Sequence, residues 1–298
     1  MPELIDAQGN GLGYEYELED EEYLEAGSAP WDGLYDFSDT PPEIDYGQGL
    51  TIRNQASRPS CRGHSLAAAG RMVARVANRG DIDLNEDGTP GQAIVDDFSP
   101  LWAWVRTQVH GGTVGANRGA TMGGGIKAGM QDGLAREVTW PYSKPHTTRI
   151  PAEVSQDAAK FRMARYSTLK TEQDVFRWFA SGQGVVESGT GWPLSWIGGA
   201  LADSGSAGRG GHATCGRGYW TGERVARTVP SLSRYKSEPY IYVWENSHGT
   251  SAQWRGLFFI TRRGMDSLLK ARYSHFIGWS DMSWAKPRKF DWDNTKVV

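Results

Sequence analysis

Cysteine is scarce in this chain: its 298 residues include two, Cys61 and Cys215. Two cysteines exclude the disulfide framework of a small secreted domain. If one thiol does chemistry they exclude even a single bridge, so a reducing compartment is the expected setting. Long apolar runs are missing too. Stretches such as Leu257 to Ile260 fall far short of the roughly 20 residues that span a bilayer, and no membrane partner is expected. Met1 to Gly11 carries Glu3 and Asp6 and has no basic start followed by an apolar block, so no secretion signal is read there. Basic residues are absent from residues 1 to 52, which hold 14 of the 35 Asp and Glu and none of the 32 Lys and Arg. The rest of the chain is therefore net basic. No nucleic-acid motif accompanies that charge, and nucleic acid is not an expected partner.

What is present describes a globular protein of one or two domains, with 39% hydrophobic residues, 13 Trp and 12 Tyr. Pro59 and Ser60 are helix start signals, and Leu66, Met72, Val73 and Val76 follow on a helical period, which predicts a buried helix opening at Cys61. Ser99 and Pro100 start a second helix over Phe98 to His110. A glycine-rich stretch follows from Gly111 to Gly125, with no phosphate-loop pattern, and then a helical Ile126 to Asp132 stopped by Gly133. The second half reads mainly as strands: Ala164 to Leu169, Gly184 to Ser188, the stretch around His212, Tyr240 to Trp244, and Leu257 to Ile260. Thr171 caps one helix among them. Residues 221 to 238, rich in Arg, Ser and Lys, read as an extended surface hairpin. Helices first and strands after predict an α+β fold.

Two local patterns bear on chemistry. Cys61 in the first turn of a helix meets unpaired amides and the positive end of the macrodipole, which favour the nucleophilic thiolate. Cys215 reads as a buried core thiol. Asp83-x-Asn85-x-Asp87-Gly88 matches the first half of a calcium loop, but the twelfth position is Ile94 where a bidentate Glu belongs, so a plain polar turn competes with calcium there.

The stretch Asn54-Gln55-Ala-Ser-Arg-Pro-Ser60-Cys61-Arg-Gly-His-Ser65 resembles the active-site segment of papain-like cysteine peptidases, including the six-residue step from Gln55 to Cys61. Gly211-His212-Ala213 followed by Gly218-Tyr219 resembles the family's His strand, and Glu245-Asn246-Ser247-His248-Gly249-Thr250 its Asn-Ser-Trp-Gly-Thr. Pro41 to Asp45, Phe98 to Leu101, Trp140-Pro-Tyr142 and Gly256 to Ile260 are smaller matches in family order. The resemblance implies a two-lobed papain-like fold, with a helical lobe carrying the Cys and a β-rich lobe carrying the His and Asn. It implies an endopeptidase acting through Cys61, His212 and Asn246, with Gln55 helping to receive the oxyanion and a Cys61–His212 ion pair. It implies polypeptide substrates and no required cofactor. It also implies that glycines between 111 and 125 let a peptide approach the backbone beside the cleft.

The resemblance runs from residue 41 to about 260, dividing near 140. It leaves an acidic, aromatic arm at 1 to 40 and an extension at 261 to 298. The arm is either a solvated tail or docked on the basic body or on a partner, and docking raises the idea of latency. The extension, with Trp279, Trp284 and Trp292, either wraps the body or contacts a partner. Departures from the family pattern are Arg58 in place of a disulfide Cys, Arg62 and His64 after the nucleophile, and His248 in place of the Trp that shields the Asn–His bond. Arg62 would either lower the thiol pKa or block the groove. The competing function is an inactive structural or binding component on the same fold, such as part of a virus particle. The expected location is accordingly cytoplasmic or virion-associated, in a bacterial or bacteriophage setting.

Overall fold

A helix buried along nearly its whole length sets the architecture. In the computed structural model, which describes residue 14 and residues 42–77, 98–192, 200–203 and 210–282, α1 (Cys61–Ala77) exposes little beyond Arg75. Its alanines and glycines make this burial feasible. A Cβ at Gly63 would collide with the Pro100 carbonyl and Trp104, and one at Gly70 with Leu134, so these glycines let α2 (Pro100–Gly111) and the segment after it lie close. α2 begins as expected, with the Ser99 hydroxyl accepting the Trp102 N–H at 3.1 Å and Pro100 in the first turn. Then α3 (Met122–Lys127) runs into a π turn (Ala128–Asp132) that ends at Gly133, where φ is 80°. Leu101, Trp102, Trp104, Trp140 and Val154 form a core on the far side of α2.

The other face of α1 lies on a sheet. Its strands among the described residues are β1 (Ile44–Asp45), β2 (Met163–Thr168), β3 (Val185–Gly191), β4 (Leu201–Ala202), β5 (Gly211–Trp220), β6 (Ile241–Glu245), β7 (Leu257–Ile260) and β8 (His275–Met282). Their order is β2-β8-β3-β5-β6-β7-β4, with β1 also on β5. All these pairings are antiparallel except β4 with β7. Helix α4 (Ala152–Ala158) precedes β2. Helix α5 (Glu172–Ala180) is capped by Thr171, whose hydroxyl accepts the Asp174 N–H while Asp174 accepts the Thr171 N–H.

Two expectations need correction. Residues 221–238 are not a hairpin. Thr221 caps α6 (Gly222–Thr228), and a 3₁₀ helix (Pro230–Tyr235) follows; Val225, Val229 and Leu232 turn inward onto Trp220 and Phe259. Nor is 261–298 an addition from its start. α7 (Arg262–Leu269) leads into β8, which is inserted between β2 and β3, and Trp279 is fully buried. A strand with neighbours on both sides has its main chain paired by the body itself. Trp284 and Trp292, the calcium candidates Asp83, Asn85 and Asp87, and all of the arm except Tyr14 lie outside the described residues. Among the described residues no cluster suits a metal ion, and no helix is long and apolar enough to cross a membrane.

Candidate active site

Cys61 is the first residue of α1, as the start signals predict, and its side chain is fully buried. Its Sγ accepts the backbone N–H of Ala213 at 3.4 Å, which sets the thiol against β5 beside His212. β5 and β6 bring His212 and Asn246 together. Cys215 pairs with Glu245; continuing that antiparallel register puts Asn246 opposite Thr214, so His212 is its diagonal neighbour on the same face. The 34-residue separation in sequence is spanned by α6 and the 3₁₀ helix, which leave the two strands in contact.

The Asn246 amide fixes the tautomer of His212. Its Oδ1 lies 2.8 Å from His212 Nε2 and accepts the Ser247 N–H, while its Nδ2 donates to Gln253 Oε1 at 2.8 Å and to His248 Nδ1 at 3.1 Å. With both amide hydrogens committed, Oδ1 is the acceptor and Nε2 of His212 must carry the proton. Nδ1 is then the free base. Burial pushes the His212 imidazole well below its usual range, and the charge of His248 adds to this, while the Asn246 bond opposes it.

Around this core the loops are tied to one another. Gln55 is fully buried; its amide donates to the Arg58 carbonyl at 2.8 Å, its Oε1 accepts the Ser247 hydroxyl, and its backbone N–H reaches the Ser247 carbonyl at 2.7 Å. Ser247 thus couples the Gln55 segment to Asn246. Ala56 has φ of 50°, in the left-handed region that suits glycine.

The departures have structural answers. Arg62 neither reaches the groove nor leaves its charge beside the thiol uncompensated. It is fully buried, ion-paired with Glu187 on β3, and bonded to the carbonyls of Thr121 and Met122 at 3.3 Å. Glu187 also accepts from Ser65 and, at 2.9 Å, from the Trp279 indole. A Cβ at Gly125 would collide with the Arg62 guanidinium, so that glycine makes room for a side chain, not for a peptide. Glu187→Gln is expected to cost about 3 kcal/mol, because it leaves a buried guanidinium without its counter-charge; urea unfolding would measure it. A loss under 1 kcal/mol would show that the pair is dispensable. His64 packs edge-on to Tyr142 with centroids 4.6 Å apart, and its Nδ1 bonds the Ser60 carbonyl at 3.1 Å. His248 lies tilted against His212, centroids 4.8 Å apart.

The indole over His212 comes from elsewhere in the chain. Trp192, just after β3, is buried and meets the imidazole edge-on at 4.5 Å between centroids. Nothing in its Gly-Trp-Pro setting marked it as a site residue. Glu187 was likewise missed, since one acid in an apolar strand shows its partner only after folding. Cys215 is the buried core thiol expected, with burial and the charges of Glu187 and Glu245 pushing its pKa up.

The fold recurs in solved structures. Xylellain, a cysteine protease from Xylella fastidiosa, superposes with a TM-score of 0.65 at 18% identity, covering 91% of this chain and 96% of its own. The fold is papain-like. Procathepsin B from Trypanosoma congolense gives 0.60 at 14% identity, covering 92% and 88%, and the bromelain protease from Ananas comosus, solved with the E64 inhibitor, gives 0.54 at 13%, covering 80% and 99%. No family model and no curated protein matches the sequence. Cys61, His212, Asn246 and Gln55, far apart in sequence, are brought into one neighbourhood by the Ala213–Cys61, His212–Asn246 and Ser247–Gln55 contacts.

Proposed function

We propose that the chain is a cysteine endopeptidase in which Cys61 is the nucleophile. The observation that supports this most is the 2.8 Å contact between His212 Nε2 and Asn246 Oδ1, because it leaves Nδ1 as the base on a residue whose neighbour, Ala213, touches the thiol. His212 Nδ1 takes the thiol proton as Sγ attacks the scissile carbonyl carbon, and the carbonyl oxygen becomes an oxyanion received by the Gln55 amide and the Cys61 backbone N–H. Collapse breaks the C–N bond, the imidazolium returns its proton to the departing amine, and water hydrolyses the thioester by the same route. No cofactor enters these steps. Labelling with a thiol-directed epoxide is the test: one equivalent should attach at Cys61, with parallel loss of peptide hydrolysis, and none in Cys61→Ala. Hydrolysis that survives in Cys61→Ala would overturn the assignment.

A further inference from the structure

Asn246 has more to satisfy than its bond to His212. Its side-chain amide is buried, so each of its polar atoms needs a partner inside the protein. The Ser247 main-chain N–H, 2.7 Å from Oδ1, fixes the sense of the amide, because a backbone donor has no acceptor form to switch to. Nδ2 then needs two acceptors. One of its hydrogens goes to Gln253 Oε1 at 2.8 Å and the other to His248 Nδ1 at 3.1 Å.

His248 is placed to be the second of these. It is 3% exposed, and its main chain is bridged to Asn54, with the next N–H, from Gly249, bonded to the Arg53 carbonyl at 2.9 Å. The loop before α1 thus holds the residue in position. An imidazole with its proton on Nε2 presents a lone pair at Nδ1, whereas the indole of the Trp that the papain-like pattern carries here has a donor and no acceptor. Covering the catalytic imidazole falls instead to Trp192, whose ring centroid lies 4.5 Å from that of His212 and 6.1 Å from that of His248. Shielding and hydrogen bonding are divided between two side chains. The titratable groups that feel a charge on His248 are His212 of β5 and His64 of α1, and a proton on its Nδ1 would also set two donors face to face at Asn246.

We propose that His248 is a positioning residue, and that its Nδ1, as acceptor for the second amide hydrogen of Asn246, keeps Oδ1 aimed at His212 Nε2. This rests on the peptidase reading for what His212 then does. With both hydrogens held, the amide cannot swing about its last side-chain bond without breaking two contacts at once, so the base stays at the angle that Asn246 sets. Loss of the His248 bond leaves a buried N–H without its acceptor, which favours amide orientations that weaken the contact to His212.

Two substitutions of nearly equal shape isolate the bond. His248→Leu removes the acceptor, and His248→Asn puts an amide oxygen where Nδ1 stands. His248→Leu should lower the turnover number about ten-fold with the Michaelis constant within about two-fold of wild type, and His248→Asn should recover turnover to within about three-fold. Equal turnover in the two variants would overturn the proposal. If His248→Leu does not fold, His248→Phe keeps a ring against Trp192 and His212 without an acceptor, and the same gap from His248→Asn is expected; no gap there has the same force. A second measurement needs no turnover. In a Cys61→Ala background, proton–nitrogen magnetic resonance spectra should show the Asn246 side-chain amide with one hydrogen moved upfield in His248→Leu relative to His248→Asn; matching signals would also overturn the proposal. The two readings fail separately. The spectral difference with no hydrolysis by the Cys61 protein removes the peptidase and keeps the bond, whereas hydrolysis with equal turnover in both variants removes the role of His248 and keeps the peptidase.

Discussion

His212→Ala is expected to lower the turnover number for a peptide substrate by roughly 10⁴–10⁶, the range seen when one member of a nucleophile–base unit is removed. The size follows from the protonation states. Burial favours neutral His212, and the Asn246 bond assigns its proton to Nε2, so Nδ1 is the acceptor through which the thiol would ionise near neutral pH. Without it, Sγ lacks its base and the leaving amine its acid. At a pH of about 10 a thiol ionises unaided, so alkylation of Cys61 there should be nearly the same in the variant and the wild type. Stopped-flow turnover and iodoacetamide kinetics measure the two quantities. Equal loss of turnover and high-pH alkylation would mean that the substitution disrupts the fold around α1, and unchanged turnover would remove His212 from the mechanism.

A second large effect should appear in stability below neutral pH. His64 is held down to about 3, chiefly by burial and further by the charges of Arg53, His248 and Arg71, against the bond to the Ser60 carbonyl. Its Nε2 has no hydrogen-bond partner among the described residues, so a proton there would be both desolvated and unpaired. In the unfolded chain the same imidazole titrates near its ordinary value of about 6.5. The unfolded state therefore binds more protons between these values, and stability rises with pH across that interval. The contribution is complete above about pH 6.5 and is lost as pH falls toward 3, amounting to about 4 kcal/mol over that span. His64→Phe keeps an aromatic edge toward Tyr142 and cannot titrate, so the wild type should lose about 4 kcal/mol more than this variant between pH 7.5 and 3. Denaturant midpoints at each pH provide the comparison. Parallel losses would place the acid sensitivity elsewhere, with His212, which is depressed for similar reasons, the first place to look.

Much of this was legible in the residues because it is local. Ser99-Pro100, Thr171-x-x-Asp174 and Pro59-Ser60-Cys61 declare helix starts within a few positions, and the structure begins helices at those points. The site motifs were legible for another reason. Cys61, His212 and Asn246 each sit in a short stretch whose neighbours, Gln55, Gly211 and Ser247, also do local work there. The hairpin expected over 221–238 failed because polar composition says little about which face a helix turns inward, and Val225, Val229 and Leu232 are enough to bury one. The ion pair implied between Cys61 and His212 has burial working against it, a cost that helix position alone does not register.

By itself the sequence determined the thiol at the head of a buried helix and the α+β class, since capping and periodicity act over a few residues. Only the tertiary structure decided the rest. Antiparallel register made His212 and Asn246 diagonal neighbours across 34 residues. Sheet order put β8, and with it Trp279, beside Glu187 and turned Arg62 into half of a buried ion pair. Pairing between Tyr14 and Gly211, nearly 200 residues apart, fixed the one described residue of the arm against β5. Each of these depends on which main-chain groups find partners at long range, a condition no local pattern encodes.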